Sequence, residues 1–227
     1  MKSLISNKTW KLVDLPPGYK WVLRKKLKLD RLIDKFKARP VTIGFKQKTD
    51  LDLFDIFSPV TRITSIRLLI AIAAIFYLKI HQMNVKTTFL NEDLEEEIYM
   101  DQPEGFVEPR QESKVCKLTK SLYDLKQAPK QWHEKFDSCI IENGYKSNKC
   151  DKCVYSKSWN NLHIISLYVD DILFFGSNMH VINKTKNILK SHFDMKDLGE
   201  ANFILGMKIT KTCDEIFLDQ SHYVEKI

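Results

Sequence analysis

HIISLYVDDILFFGS, residues 163–177, places two adjacent aspartates between two short apolar runs. The β-branched and aromatic residues on both sides favour strands, and Asp170 and Asp171 fit the tip of a tight hairpin. Adjacent ionised carboxylates repel each other and are costly to desolvate unless a cation or hydrogen-bond donors offset their charge. The pattern therefore predicts a hairpin that presents two carboxylates to a divalent metal ion.

The same two aspartates have a simpler interpretation. Asp is a common turn residue because its side chain bonds its own backbone, so most Asp-Asp pairs at hairpin tips are solvated turns. Segments elsewhere in the chain are needed to decide between a turn and a metal site.

Positive charge is concentrated at one end of the 227-residue chain. Residues 1–48 contain 14 Lys and Arg against 3 acids, whereas the remainder contains 22 basic and 26 acidic residues. A basic end ahead of an acidic centre suits a protein that grips a phosphate backbone with one part and holds a cation with another. A basic surface that only keeps the protein soluble is the alternative.

Composition is that of an ordinary globular protein, with 44% hydrophobic residues and length for one large or two small domains. The longest apolar run, residues 68–78, is too short to span a bilayer. The first residues lack the apolar core of a signal peptide, so we expect an intracellular, cytoplasmic protein without a membrane partner.

Cysteine usage leaves one further possibility. The five cysteines, at positions 116, 139, 150, 153 and 213, are an odd number, which indicates reduced thiols in an intracellular chain. Cys150 and Cys153 form a CxxC, but no second CxxC or HxxxH pair completes the four ligands of a structural zinc. A zinc-binding or interaction module is therefore an alternative function only.

Strands are predicted where hydrophobicity alternates with a period of two. Residues 21–29 and 35–45 are predicted to form a basic hairpin, with Pro40 on an edge strand or at an interruption. The remaining predicted strands are residues 82–90, 98–100 and 115–118, and a hairpin around 203–209 and 215–218. The acidic residues of 92–97 are predicted to form a solvated turn, and residues 194–200 a loop.

Three helices are predicted. Ser58 and Pro59 fit the N-cap and first turn of a buried helix over residues 63–78. Residues 127–143 predict an amphipathic helix that ends before Gly144, and Asn178 fits the cap of a third helix. Because strands and helices alternate without dinucleotide-binding glycines or repeats, the sequence predicts an α+β fold, a sheet with helices on one face.

Nine short motifs follow one another along the chain. They are NKTW at 7–10, FKAR at 36–39, FSPV at 57–60, VKT at 85–87, FLN at 89–91, YMDQPEGF at 99–106, LKQAP at 125–129, YVDD at 168–171 and KDLGE at 196–200. Together these motifs resemble the reverse transcriptase domain of copia-type LTR retrotransposon Pol polyproteins. The match runs over nearly the whole chain.

The resemblance implies the α+β fold of a right-hand polymerase, with an antiparallel palm sheet backed by helices. Residues 1–227 would be a single reverse transcriptase domain fragment with the thumb largely absent. Its implied parts are fingers at about 20–60 and 100–125, a palm at about 61–100 and 126–210, and the start of a thumb at 211–227.

The resemblance also implies a chemistry and a set of partners. Family members are RNA-directed DNA polymerases, in which a primer 3′ hydroxyl attacks the α-phosphate of a dNTP while two magnesium ions, or manganese, stabilise the attacking and leaving oxygens. The implied partners are an RNA or DNA template with its primer, dNTPs, and the other Pol and Gag regions of a longer polyprotein. An active parent element would place the protein in a cytoplasmic virus-like particle.

Site residues carry over from the family motifs by position. The family holds its metals with an early palm Asp and the YxDD pair, so Asp170 and Asp171 are predicted catalytic metal ligands, with Asn84 at the early position. Phe89 stands where the family places a bulky gate against the ribose 2′ hydroxyl, and Lys196 is a candidate for assisting the pyrophosphate leaving group. The remaining predicted nucleotide-binding residues are Arg39, Val85, Lys126, Gln127 and Tyr168.

The chain departs from the family pattern at several positions. Where the family reads MDVKTAFLNG, residues 83–92 read MNVKTTFLNE, so the early metal-binding Asp is Asn84. An amide oxygen can coordinate magnesium, but it brings no negative charge and cannot bridge two metals. Asp124 replaces the Gly of YGLKQAP, which adds negative charge beside bound phosphates and makes any φ > 0 costly. Pro40 and Ile43 replace Leu and Lys and remove a phosphate-facing cation.

Because of these departures, a resemblance to the family does not imply that this copy is active. The sequence favours an RNA-directed DNA polymerase domain that is impaired or inactive in this copy because of Asn84 and Asp124. A non-catalytic nucleic-acid-binding remnant and the CxxC module are the alternatives.

Overall fold

The computed structural model describes residues 7–14, 58–91, 94, 97–102, 107–122, 125, 127–159, 161–212 and 215–220. The chain divides into two compact units, one of residues 1–58 and 87–132 and the other of residues 59–86 and 133–227. The predicted basic hairpin, with Arg39 and Pro40, lies outside the described residues, as do Asp124 and Lys126.

The described elements are three α-helices, one 3-10 helix and twelve strands. In chain order they are β1 (Trp10–Val13), α1 (Ile63–Ile75), β2 (Lys79–Val85), a 3-10 helix (Thr88–Asn91), β3 (Tyr99–Met100), β4 (Val115–Leu118), α2 (Ala128–Glu142), β5 (Lys146–Ser147), β6 (Val154–Trp159), β7 (Asn161–Tyr168), β8 (Asp171–Gly176), α3 (Met179–His192), β9 (Met195–Glu200), β10 (Phe203–Ile204), β11 (Met207–Lys211) and β12 (Ile216–Asp219). Mixed helices and antiparallel sheets confirm the predicted α+β class.

The unit of residues 1–58 and 87–132 contains a small antiparallel sheet in the order β1-β4-β3. Trp10 pairs with Leu118, and Tyr99 pairs with Lys117. The strands predicted around Tyr99 and at residues 115–118 are therefore confirmed. Glu97, one of the acidic residues of the predicted turn, forms an exposed ion pair with Lys117.

The unit of residues 59–86 and 133–227 is built on a six-stranded antiparallel sheet in the order β5-β6-β7-β8-β2-β9. One face, called here the α1 face, buries Ile80, Leu173 and Phe175 against α1 and the β10-β11-β12 sheet. The opposite face, the α3 face, carries Phe174 and the other residues that alternate with that set. Because the sheet lies at the centre of the unit, both of its faces are apolar.

Helices pack on both faces, so the prediction of helices on one face is wrong. On the α3 face, the Lys186 ammonium of α3 lies 5.9 Å from the centre of the Phe174 ring. The Phe136 ring of α2 lies 5.7 Å from the Tyr155 ring of β6. Periodicity marks the buried side of each helix, but it does not say which face of a sheet that side meets.

The first helix begins at Ile63, so the predicted N-cap at Ser58 is wrong. The cap position is Arg62, whose backbone N–H donates to Oδ2 of Asp151 at 3.2 Å, and Ser65 Oγ donates to the same oxygen at 2.6 Å. A carboxylate from a distant loop therefore satisfies the helix N-terminus, which the local sequence does not reveal. The helix is also less buried than predicted, since Leu68 and Ile75 are 61% and 68% exposed.

Two predicted boundaries change around β2. The strand predicted over residues 82–90 ends at Val85, because the chain turns through Thr87, with φ +50°, into the 3-10 helix. Residues 195–200, predicted as part of a loop, form the edge strand β9 instead. Their side chains are mostly exposed, so they lack the apolar alternation that marks a strand, and pairing with β2 decides their conformation.

Local signals predicted the other helices correctly. The second helix covers Ala128–Glu142 and is followed by Gly144 at φ +83°, the left-handed conformation that suits a helix end. Asn178 caps the third helix by accepting a hydrogen bond from the His180 N–H at 2.8 Å. The hairpin predicted at 203–218 is also present, as three short strands.

Candidate active site

The β7-β8 hairpin presents the two aspartates at the end of the central sheet. Tyr168 pairs with Asp171, so the two-residue turn consists of Val169 and Asp170, and Asp171 begins β8. This shifts the predicted tip by one residue. Val169 has φ +55°, the positive value that two-residue hairpin turns require at their first position. A β-branched residue is strained there, so the surrounding structure must hold the turn in place.

Strand β2 fixes the turn from the neighbouring side. The Val85 N–H donates to the Asp170 carbonyl oxygen at 2.8 Å, and Asn84 is the direct partner of Asp171 in the β2-β8 ladder. Side chains of such partners lie on the same face of the sheet. Position 84 therefore lies beside Asp171.

Two amides donate to one oxygen of Asp171. Asn84 Nδ2 lies 3.2 Å from Asp171 Oδ1, and Gln82 Nε2 lies 3.0 Å from the same atom. An ionised carboxylate only accepts hydrogen bonds, so both amides must turn their N–H groups towards it. Sequence reasoning missed Gln82, although the period of two along β2 places it on the same face as Asn84.

A divalent cation fits the aspartates better than it fits Asn84. Among the described residues, the Asp170 carboxylate has no hydrogen-bond or ion-pair partner, and adjacent carboxylates are the oxygen donors that hard cations prefer. Asn84, in contrast, directs its N–H group at Asp171 and not its oxygen. No group of three or more His, Cys, Asp and Glu is assembled within the described ranges.

Lys196 is the third predicted residue near this pair. It is the ladder partner of Asn84 in β9, so its exposed side chain leaves the same face of the sheet as Asn84 and Asp171. No partner for its ammonium is found in the described part of the chain. This leaves a cation beside the carboxylates that can attract a phosphate group.

The other predicted site residues fall into three groups. Tyr168 is half-buried and packs against the core of the α1 face, whereas Val85 is 2% exposed and points to the opposite face, where it serves the core. Phe89 and Gln127 are buried in the other compact unit. Arg39 and Lys126 lie outside the described residues.

A buried lysine supports the site from the α3 face, and no sequence motif predicted it. The Lys186 ammonium of α3 lies 2.6 Å from Asp197 Oδ1 and 3.1 Å from His81 Nδ1, and Lys190 lies 3.1 Å from Asp197 Oδ2. Although burial raises the pKa of Asp197, hydrogen bonds from Lys186, the Gly199 N–H and Lys190 hold it at about 2. This network ties α3 to β2 and β9 directly behind Asn84 and Lys196.

The two cysteines of the CxxC lie in different surroundings. Cys150 is exposed, whereas Cys153 is buried and its thiol donates to the Pro59 carbonyl oxygen at 3.1 Å. Burial raises the pKa of the Cys153 thiol to about 12, which disfavours the thiolate that zinc requires. The structure therefore gives the zinc-module alternative no support.

Comparison with known proteins identifies the family. The family model described as reverse transcriptase (RNA-dependent DNA polymerase) matches residues 7–227, so this chain belongs to that family. Its similarity to transposon Pol polyproteins makes it a reverse transcriptase domain of the copia type.

Three relatives illustrate the match. The retrovirus-related Pol polyprotein from transposon TNT 1-94 of Nicotiana tabacum is 49% identical over 236 residues, which cover 100% of this chain and 18% of that protein. The Pol polyprotein from transposon RE1 of Arabidopsis thaliana is 33% identical, over 97% of this chain and 16% of that protein. The putative transposon Ty5-1 protein YCL074W of Saccharomyces cerevisiae is 34% identical, over 63% of this chain and 47% of that protein.

The chain thus spans less than a fifth of the length of the two plant polyproteins. No solved structure matches it. None of the helices in the described ranges has the length and apolarity needed to cross a membrane.

Proposed function

We propose that this chain is an RNA-directed DNA polymerase domain whose catalytic centre is impaired by Asn84 and Asp124. The observation that carries the proposal is the β2-β8 pairing, which brings position 84 into hydrogen-bond contact with Asp171 beside the YVDD turn. The chain would act on an RNA or DNA template with its primer and on dNTPs, beside other Pol and Gag regions in a cytoplasmic virus-like particle. In this proposal the fingers lie at about 20–60 and 100–125, the palm at about 61–100 and 126–210, and the start of a thumb at 211–227.

In the proposed reaction, the primer 3′ oxygen bonds to the α-phosphorus of the dNTP, the bond to the β-phosphate oxygen breaks, and pyrophosphate leaves. Divalent metal ions, when bound, would lower the pKa of the primer hydroxyl and stabilise the charge on both oxygens. Asp170 and Asp171 would hold them, and the Lys196 ammonium would attract the departing pyrophosphate. Phe89 would exclude the ribose 2′ hydroxyl, and Arg39, Lys126, Gln127 and Tyr168 would contact the nucleotide.

Asn84 explains the proposed impairment. The family carboxylate at this position supplies a negative charge that can bridge two cations, whereas the Asn84 amide is neutral and donates to Asp171. Asp170 and Asp171 then remain as ligands for one cation. A non-catalytic nucleic-acid-binding remnant is the second candidate, because the same contact favours loss of the second cation.

Primer extension tests the catalytic part of the proposal. On a homopolymer template with magnesium or manganese, we expect little extension by the unchanged chain. Asn84→Asp should raise the rate about tenfold, equivalent to about 1.4 kcal/mol of transition-state stabilisation, and Asn84→Asp with Asp124→Gly should raise it further. Asn84→Asp with Asp170→Asn is the inactive control. Robust extension by the unchanged chain would contradict the proposed impairment. Absence of extension by every variant would contradict the proposal that these substitutions restore polymerase activity.

Filter binding over a salt series tests the nucleic-acid-binding part. The logarithm of the affinity for single-stranded RNA or DNA should fall linearly with the logarithm of salt concentration, by about 0.7 for each phosphate contact. Replacing Arg24, Lys25, Lys26 and Lys28 by Gln should weaken binding and flatten that slope. A matched set of four Lys→Gln changes at Lys146, Lys149, Lys152 and Lys184 should leave the slope unchanged. Binding that is insensitive to salt would refute the proposal that the basic N-terminal segment binds phosphates. Equal effects of the two sets of substitutions would refute it as well.

A further inference from the structure

We propose that Gln82, together with Asn84, forms an amide clamp on Asp171 that takes the place of a divalent cation at Oδ1. In this chain Asp171 Oδ1 is then satisfied without metal, and Gln82 is a positioning residue that holds Asp171. The inference rests on the proposed function, because it concerns the same carboxylates.

The surroundings of Gln82 indicate that its side chain serves to hold Asp171. Its side chain is 8% exposed and lies on the α1 face between the apolar residues Ile80 and Leu173. Burial of an amide in apolar surroundings is costly unless the amide is hydrogen-bonded. Within the described residues, Asp171 Oδ1 is the sole hydrogen-bond partner of the Gln82 side chain, at 3.0 Å. The bond therefore fixes both the amide and the carboxylate.

The second amide completes the clamp. Asn84 Nδ2 reaches the same Oδ1 atom at 3.2 Å, so two N–H groups converge on one carboxylate oxygen. Hydrogen bonds to an ionised acceptor are stronger than those between neutral groups, and together they offset part of its negative charge. That is the electrostatic task a divalent cation performs at a carboxylate.

The clamp and a cation compete for the same atom. A cation at Oδ1 must displace the amide N–H groups, so the clamp lowers the affinity of the site for metal. With Asp at position 84, one donor is lost and a like charge is added, which leaves a cation as the means of relieving the repulsion. The departure at position 84 thus replaces a cation at Asp171 Oδ1 by hydrogen bonds from the protein itself.

Mn²⁺ binding, measured by electron paramagnetic resonance of the free ion, tests this inference on the intact chain. Gln82→Met keeps the length of the side chain and removes the donor, so Mn²⁺ affinity should rise about fivefold, the equivalent of one net hydrogen bond. In metal-free buffer its Tm should fall by about 3 °C, and Mn²⁺ should restore part of that loss. Gln220→Met makes the same change at an exposed position and should alter neither quantity.

Gln82→Glu is the second variant, should Gln82→Met fail to fold. It keeps the shape of Gln82, removes the donor and adds a carboxylate, so its Mn²⁺ affinity should rise more than tenfold. Unchanged or weaker Mn²⁺ binding by the folded variants would overturn the clamp. Because this measurement needs no catalysis, it separates the two proposals: failed extension by Asn84→Asp with a raised Mn²⁺ affinity refutes the polymerase alone, and the reverse result refutes the clamp alone.

Discussion

Asp197→Ala is expected to lower the free energy of unfolding by about 3 kcal/mol, whereas Lys186→Met should change it by less than about 1 kcal/mol. The Lys186 side chain is 4% exposed, and its ammonium is paired with Asp197 at 2.6 Å. Removing the carboxylate leaves a buried charge without its counterion. Removing the lysine head instead eliminates the buried charge, keeps the packing against Phe174, and leaves Asp197 paired with Lys190.

Urea unfolding followed by circular dichroism measures both changes. Lys79→Met, an exposed lysine at the start of β2, is the matched control for the loss of a lysine head and should have little effect. Asp197→Asn should fall between the two, because its amide oxygen still accepts hydrogen bonds. Equal destabilisation by Asp197→Ala and Lys186→Met would refute the asymmetry. The network would then contribute through packing and not through charge.

Acidification from about pH 6.5 to pH 4 is expected to cost this protein up to about 3 kcal/mol of stability through His163 alone. Burial, with a smaller contribution from the charge of Lys157, lowers the pKa of His163 from 6.5 to about 4. The imidazole is 1% exposed, Tyr145 Oη lies 2.6 Å from its Nδ1, and Nε2 has no partner in the described part of the chain. Because the unfolded chain binds the proton more readily, stability is present above pH 6.5 and is lost as the pH falls towards 4.

His163→Gln removes this titration and keeps an amide for Tyr145, so its free energy of unfolding should fall clearly less than that of the unchanged chain across that window. His81 and His133, whose pKa values are also lowered by burial, account for a remaining loss. His180→Gln, at an exposed position of α3, should retain the acid sensitivity of the unchanged chain. Asp197 contributes to the pH dependence at lower pH. Because its pKa is lowered to about 2, the stability that its ionised form provides is lost only between about pH 4 and pH 2. A stability profile of His163→Gln that matches the unchanged chain from pH 6.5 to pH 4 would contradict the assignment.

Local patterns predicted the elements whose causes are local. The apolar runs around YVDD, the Asn178 cap and the Gly144 helix end each depend on residues within a few positions, and the structure contains all three features. Elements that depend on distant partners were missed. Strand β9 exists because β2 pairs with it, and the first helix begins at Ile63 because Asp151 caps it.

The candidate site shows the same division. The motifs name Asp170, Asp171 and position 84 from their order along the chain, and the β2-β8 ladder places Asn84 and Asp171 side by side. Gln82 was not predicted, because the hydrogen-bond partner of a glutamine on a strand cannot be identified until the strand register is known. Asp197 was assigned no role, because its partner Lys186 is eleven residues away on a helix that packs across the sheet.

Residue order alone therefore predicts the family, the hairpin and the two candidate carboxylates, since these follow from motifs and from short-range backbone preferences. The three-dimensional structure decides which groups surround the carboxylates: two amides on Asp171, a lysine beside them and a buried ion pair behind the sheet. The physical reason is that hydrogen bonds and charges act over a few ångströms of space, and strand register and helix packing alone bring those groups within reach.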